Sequence, residues 1–119
     1  MKQFKRSDRL AEQIRRVVST VMEIELAELG LGMVTFTSVR MTDQLRQARV
    51  YYSFMGTEEK RDQLQNYLTS RRKRIRSSVG KELHIRHIPE LEFKFDPSVE
   101  EGIRIEQLLN QIKDKRDDS

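Results

Sequence analysis

Residues 8–28 place Leu10, Ile14, Val17, Val18, Val21 and Ile24 three and four apart, which predicts an amphipathic helix with that stripe in the core. Ser7 suits its N-cap, Asp8 its first turn, and Gly30 and Gly32 follow as stop signals. Residues 33–41 are β-branched and aromatic and read as a strand. Val34 and Phe36 share one face while Val39 and Met41 fall on the other, so a bulge or an early exit is expected. Residues 48–54 alternate cleanly: Ala48, Val50, Tyr52 and Phe54 one way, Arg49, Tyr51 and Ser53 the other. The short connection favours an antiparallel pair.

Thr57, with Glu58 and Glu59 behind it, opens a long helical segment. Its stripe is Leu64, Leu68, Ile75, Val79 and Leu83, with a hole between Leu68 and Ile75. A straight helix would put Arg71 on the buried stripe, and an unpaired buried guanidinium is too costly. The helix therefore either breaks near 70–74 or leaves that turn uncovered for Arg71 to reach water. After an irregular stretch ending at Pro89, Leu91, Phe93 and Phe95 alternate with Glu92 and Lys94, a third strand with one buried face. Asp96-Pro97 is a turn, and Ser98 with Glu101 reads as a capping box. The last helix is expected to bury Ile103, Ile105, Leu108, Leu109 and Ile112. Residues 113–119 have no apolar side chain and are expected to form a flexible charged tail behind a single domain over 1–112.

Composition narrows the function. The chain has 119 residues, no cysteine and a mean hydropathy of −0.73. A disulfide framework and a thiol nucleophile are excluded. No apolar run is long enough to span a bilayer, and the basic start at Met1–Arg6 leads into an amphipathic segment rather than a signal core. A cytoplasmic setting is the simplest expectation. The net charge of +4 hides an asymmetry: residues 1–89 carry 18 basic and 10 acidic side chains, residues 90–119 carry 5 and 9. The densest run, Arg71-Arg72-Lys73-Arg74-Ile75-Arg76, packs five positive charges into six residues. Like charges so close repel unless something neutralises them, and clustered Lys and Arg mark a nucleic-acid surface.

Catalytic chemistry is not legible. His84 and His87 have no cysteine beside them and read as ordinary surface or edge residues, Glu92 reads as solvent-facing, and the glycines form no phosphate-cradling loop. The reading is of a binding protein with no cofactor and no metal, not an enzyme. Tyr51 beside Arg49 reads first as a residue of high strand propensity, with base stacking as the alternative.

The order helix, strand, strand, two helix halves with basic residues between them, strand, resembles a type II KH domain, an α+β fold, here with an additional C-terminal helix. KH domains clamp about four nucleotides between two helices. Particular residues resemble the ribosome-binding factor A family: Arg16-Val17, Val34-Thr35-Phe36-Thr37, Leu45-x-x-Ala48-x-Val50-Tyr51-x-Ser53, and above all Arg86-x-x-Pro89-Glu90-Leu91-x-Phe93-x-x-Asp96-x-Ser98-x-Glu100 followed by Ile105-x-x-Leu108-Leu109. The family typically has Ala-x-Gly at the helix junction, where this chain has Arg71-Arg72-Lys73. The resemblance implies a monomeric cytoplasmic factor that binds the small ribosomal subunit and its 16S rRNA during late rRNA processing. It also implies a link to growth after cold shock and an assembly GTPase as a possible helper.

The residues expected to contact RNA are Arg71, Arg72, Lys73, Arg74, Arg76 and Lys81, flanked by Lys5, Arg6, Arg9, Arg15, Arg16, Arg40 and Arg46. The competing expectation is a protein-interaction or regulatory module that docks another factor through the acidic C-terminal third.

Overall fold

A computed structural model describes residues 6–42 and 44–117, the last four as backbone only. The chain runs α1 (Arg6–Leu29), β1 (Met33–Thr42), β2 (Gln47–Met55), α2 (Glu58–Ser70), α3 (Arg72–Leu83), β3 (Glu90–Phe95) and α4 (Ser98–Asp117). This is the expected type II KH-like order with its extra C-terminal helix. The sheet order is β1-β2-β3; β1 pairs antiparallel with β2, and β3 lies parallel to β2. The parallel pairing follows from the crossover through α2 and α3.

β1 carries the expected bulge: Phe36 pairs with Tyr52 and Ser38 with Tyr51, leaving Thr37 unmatched. The extra residue turns Val39 and Met41 back to the face of Val34 and Phe36, where they pack on the core. Ala48, Val50, Tyr52 and Phe54 point into that core, as do Leu91 and Phe93. Helix α2 starts at Thr57, whose Oγ1 accepts from the Lys60 N–H at 3.2 Å. Leu64, Leu68, Ile75 and Val79 are fully buried.

Five expectations are corrected. Helix α1 already contains Ser7, so Ser7 does not cap it. Its buried stripe is Ala11, Ile14, Val18, Met22 and Leu26, while Ile24 is 72% exposed. At about 100° per residue Ile24 sits well over a quarter turn from the centre of that stripe. At the start of α4 the cap is Asp96, whose carboxylate accepts from the Ser98 N–H at 2.9 Å and is held below its ordinary pKa chiefly by that bond. The apolar side chains of α4 are not core: Ile105, Leu108, Leu109 and Ile112 are each more than half exposed, and Ile103 is 38% exposed. Val99, Glu100 and Ile103 approach the body, beside Phe54, Met55 and Phe95. The Cα radius of gyration, 17.5 Å, exceeds the ~13–14 Å of a compact chain this long, because α4 projects. Its helix continues to Asp117, into the segment read from sequence as a tail.

Two glycines are required by geometry. Gly30 ends α1 at φ 66°, its N–H on the Leu26 carbonyl. A Cβ on Gly32 would lie 2.5 Å from the Met55 carbonyl oxygen and 2.7 Å from the Phe54 ring. No described helix is long and apolar enough to cross a membrane.

Candidate nucleic-acid interface

The helix breaks at Arg71, which stands between α2 and α3 at φ −107°, ψ 8°. The break is how a chain without small residues there resolves the conflict between the buried stripe and the Arg71 charge. Leu68 and Ile75 stay in the core on either side, and Arg71 turns outward. Its guanidinium carbon sits 3.7 Å from the centroid of the Tyr67 ring, a cation–π contact, and Nη1 donates to Ser70 Oγ at 3.0 Å.

One carboxylate on α1 gathers the junction. Oε1 of Glu25 accepts from the Tyr67 hydroxyl and from Arg74 Nη2, and lies 3.8 Å from Arg71 Nε. Burial pushes Glu25 up, but the Tyr67 hydroxyl and then the Arg74 and Arg71 guanidinium groups outweigh it and hold the carboxyl below its ordinary range. Burial, reinforced by Glu25, pushes the Tyr67 hydroxyl the other way.

Arg76 is engaged elsewhere. Nη2 donates to the Ile88 carbonyl at 2.7 Å, and Nε reaches the Ile88 and Pro89 carbonyls, both at 3.1 Å. A second brace holds β3 further on: Gln65 Nε2 donates to the Phe93 carbonyl at 2.8 Å, while its Oε1 accepts from the Tyr52 hydroxyl. Burial pushes that hydroxyl up to about 12, so it stays a donor at neutral pH.

Within the densest basic run this leaves Arg72 and Lys73. Both are exposed, and among the described residues neither side chain has a hydrogen bond or ion pair. They face a cleft between the helix junction and the edge of β3, whose walls include Gln65, Thr69, Leu91 and Phe93. A neighbouring groove is lined by Leu10, Leu45, Arg46, Arg76, Arg86 and His87. Arg76 and Glu90 border both depressions, so the two adjoin: Lys73 and Arg72 line one part of this channel and Arg86 and Arg46 the other. Arg6 lies one helical turn before Leu10 on the same side of α1.

The remaining expected contacts lie apart from this channel. Arg15 and Arg16 share Glu12, at 2.5 and 3.4 Å, and hydrogen bonding from Arg15 is the main reason Glu12 falls to about 2. Arg15 also lines a separate groove between α1 and β1. Arg40 lies on the outer face of the sheet opposite Arg49, which pairs with Glu92 at 3.4 Å. Tyr51 is on that outer face too, half-buried, with Ser38 and Lys94 as its neighbours in the ladder. Arg9 and Lys81 are exposed on α1 and α3. Lys5 lies outside the described residues.

Arg86, Gln65 and Thr69 were not among the expected contacts. Arg86 had a signal, since it opens the run Arg86-x-x-Pro89; the two polar residues of α2 had none. Among the described residues no group of three or more His, Asp or Glu could hold a metal ion. His84 instead caps α3 at φ 53°.

Comparison with known proteins bears on the chain as a whole. A family described as ribosome-binding factor A matches residues 6–109. The ribosome-binding factor A of Geobacter metallireducens is 43% identical over 109 residues, covering 92% of each chain. That of Geobacter sulfurreducens is 39% identical over 113 residues, covering 95% of this chain and 96% of the relative. Among solved structures, a Thermotoga maritima protein described as a ribosome binding factor A superposes with a TM-score of 0.61 at 26% identity, covering 79% of this chain and 90% of that one. A homology model of the Thermus thermophilus ribosome-binding factor A, fitted into the cryo-EM map of its complex with the small subunit, superposes at 0.64, with 22% identity, covering 76% and 96%.

Proposed function

The chain belongs to the ribosome-binding factor A family, and on that premise we propose that it binds the small ribosomal subunit through its rRNA, late in maturation of that rRNA. It acts in the cytoplasm as a non-enzymatic assembly factor. RNA enters the channel that runs from Lys73 and Arg72 past Arg76 to Arg86 and Arg46. The observation that carries this reading is the exposure of Arg72 and Lys73, two cations without partners among the described residues, beside the cleft at the β3 edge. The description of the Thermus relative in complex with the small subunit supports the choice of partner. Phosphates would meet the free cations, while Gln65 and Thr69 offer polar groups to whatever lies deeper in the cleft.

Sedimentation of the tagged protein with small subunits at low salt tests the partner: co-migration is expected, and its absence would sink the reading. Charge reversal at Arg72 and Lys73 tests the face. It should weaken binding without unfolding the chain.

A second reading, docking of a protein factor through α4, is favoured by the exposed stripe of Ile105, Leu108, Leu109 and Ile112. A pull-down from nuclease-treated extract separates the two, since RNA-mediated partners disappear and a protein partner of α4 stays.

A further inference from the structure

Two of the five cations in the basic run, Arg71 and Arg74, face the same carboxylate oxygen. Arg74 donates to Glu25 Oε1 at 2.5 Å, and Arg71 Nε lies 3.8 Å from it, beyond hydrogen-bond length. Both guanidinium groups remain open to water, at 41% and 52% exposure, whereas Glu25 is the more enclosed partner at 27%. The contacts join α1 to the α2–α3 junction, 46 to 49 residues apart in the chain, so local sequence does not impose them. Arg71 and Arg74 flank Arg72 and Lys73, the free pair in the channel.

We propose that Glu25 is a resident anion that occupies Arg71 and Arg74 in the free protein and gives them up to RNA phosphates on binding, an autoinhibitory contact built into the junction. This rests on the reading of the channel as the RNA face. Three features make exchange feasible. The Arg71 contact is long, and partly exposed ion pairs contribute little to stability, so release costs little. Glu25 keeps the Tyr67 hydroxyl after the arginines leave, so its carboxylate is not stranded. Arg71 also keeps its stacking surface on Tyr67, which limits how far it must move. The contact weakens binding to any polyanion until enough phosphates are presented together to replace the carboxylate, and so disfavours adventitious RNA.

Binding of a fluorescent single-stranded uridine homopolymer to the full chain, titrated over a range of salt, tests this. Glu25→Gln removes the competing charge but leaves an acceptor for Tyr67. Its affinity should rise about three- to tenfold, and the log–log salt slope should steepen by about 0.7 to 1.4, one to two added phosphate contacts on a single strand. In the Arg71→Gln/Arg74→Gln background the same change should give no gain. A gain that persists there reports overall charge and overturns the proposal. So does a Glu25→Gln protein with unchanged affinity and slope. Should Glu25→Gln fail to fold, Arg71→Gln/Arg74→Gln in the parent chain decides: a shallower slope supports exchange, an unchanged slope overturns it. Charge reversal at Arg72 and Lys73 separates the two levels. If it weakens binding while the Glu25 and arginine variants do nothing, only the autoinhibition fails; if none of them moves binding, the RNA face is elsewhere and both readings fall.

Discussion

The Arg76 guanidinium holds the Ile88 carbonyl from two nitrogens, Nη2 at 2.7 Å and Nε at 3.1 Å. It also takes the Pro89 carbonyl, so one side chain of α3 fixes the backbone that leads into β3. Truncation would leave partly buried carbonyls unpaired, at about 1–3 kcal/mol. Arg76→Ala should therefore lose stability in urea unfolding by that amount. A variant with wild-type stability but weakened RNA binding would make Arg76 a phosphate contact instead of a brace.

Arg72 and Lys73 should behave in the opposite way. Nothing in the fold depends on their side chains, so Arg72→Ala and Lys73→Ala should shift stability by less than about 0.5 kcal/mol. Each should flatten the salt dependence of RNA binding by about 0.7–0.9 in log–log slope. Titrations at several salt concentrations read this directly.

Glu25 ties stability to acid. Its carboxyl is held below the ordinary value of 4.5, so its contribution is present above that pH and is lost as pH falls through the depressed folded value. The groups facing it are Tyr67, Arg71 and Arg74. Melting temperatures taken from about pH 6 down to about pH 3 should converge between the parent and Glu25→Gln as acid is added. Parallel curves would show that Glu25 contributes nothing through its charge.

The β1–β2 turn sets Gln44 and Leu45 at φ 54° and 67°, a left-handed pair that favours Asn-Gly. A leucine in that conformation costs about 1–2 kcal/mol. Leu45→Gly should raise stability by up to about 1 kcal/mol, since the greater freedom of glycine in the unfolded chain offsets part of the relief. A fall in the urea midpoint would mean that contacts of the Leu45 side chain outweigh the backbone strain.

Two leucines of similar sequence pattern should differ sharply. Leu68 is fully buried and Leu109 is 59% exposed. Leu68→Ala should cost about 2–5 kcal/mol. Leu109→Ala should stay within about 0.5 kcal/mol. Comparable losses would place α4 against the body in solution.

That contrast shows how far the sequence can be read. Alternation located β2 and β3 by face; the parity change after Phe36 asked for a bulge or an early exit, and the hole between Leu68 and Ile75 for a break or an uncovered turn, and the fold takes the first of each. The last two are local conflicts between charge or parity and a buried face. Ile105, Leu108, Leu109 and Ile112 repeat with equal regularity, but periodicity marks a face and not the surface opposite it. The partners of the basic run were out of reach for a related reason. Glu25 meets Arg74 from 49 residues away, and no spacing rule announces such a pair. In the channel, Gln65 and Thr69 look like ordinary helix-surface residues until the crossover brings β3 beside them.

Helix α4 carries one more consequence. From Arg104 to Lys113 its side chains are all exposed, and at about 1.5 Å per residue the backbone from Arg104 to Asp117 spans roughly 20 Å. A segment of that length is marginal as an isolated helix in water. Its melting should therefore be uncoupled from that of the core, and calorimetry should show the chain unfolding in two steps. The amides of α4 should exchange with solvent long before those of Ile75 or Val50, and a single cooperative transition should describe only the part of the protein that ends at β3.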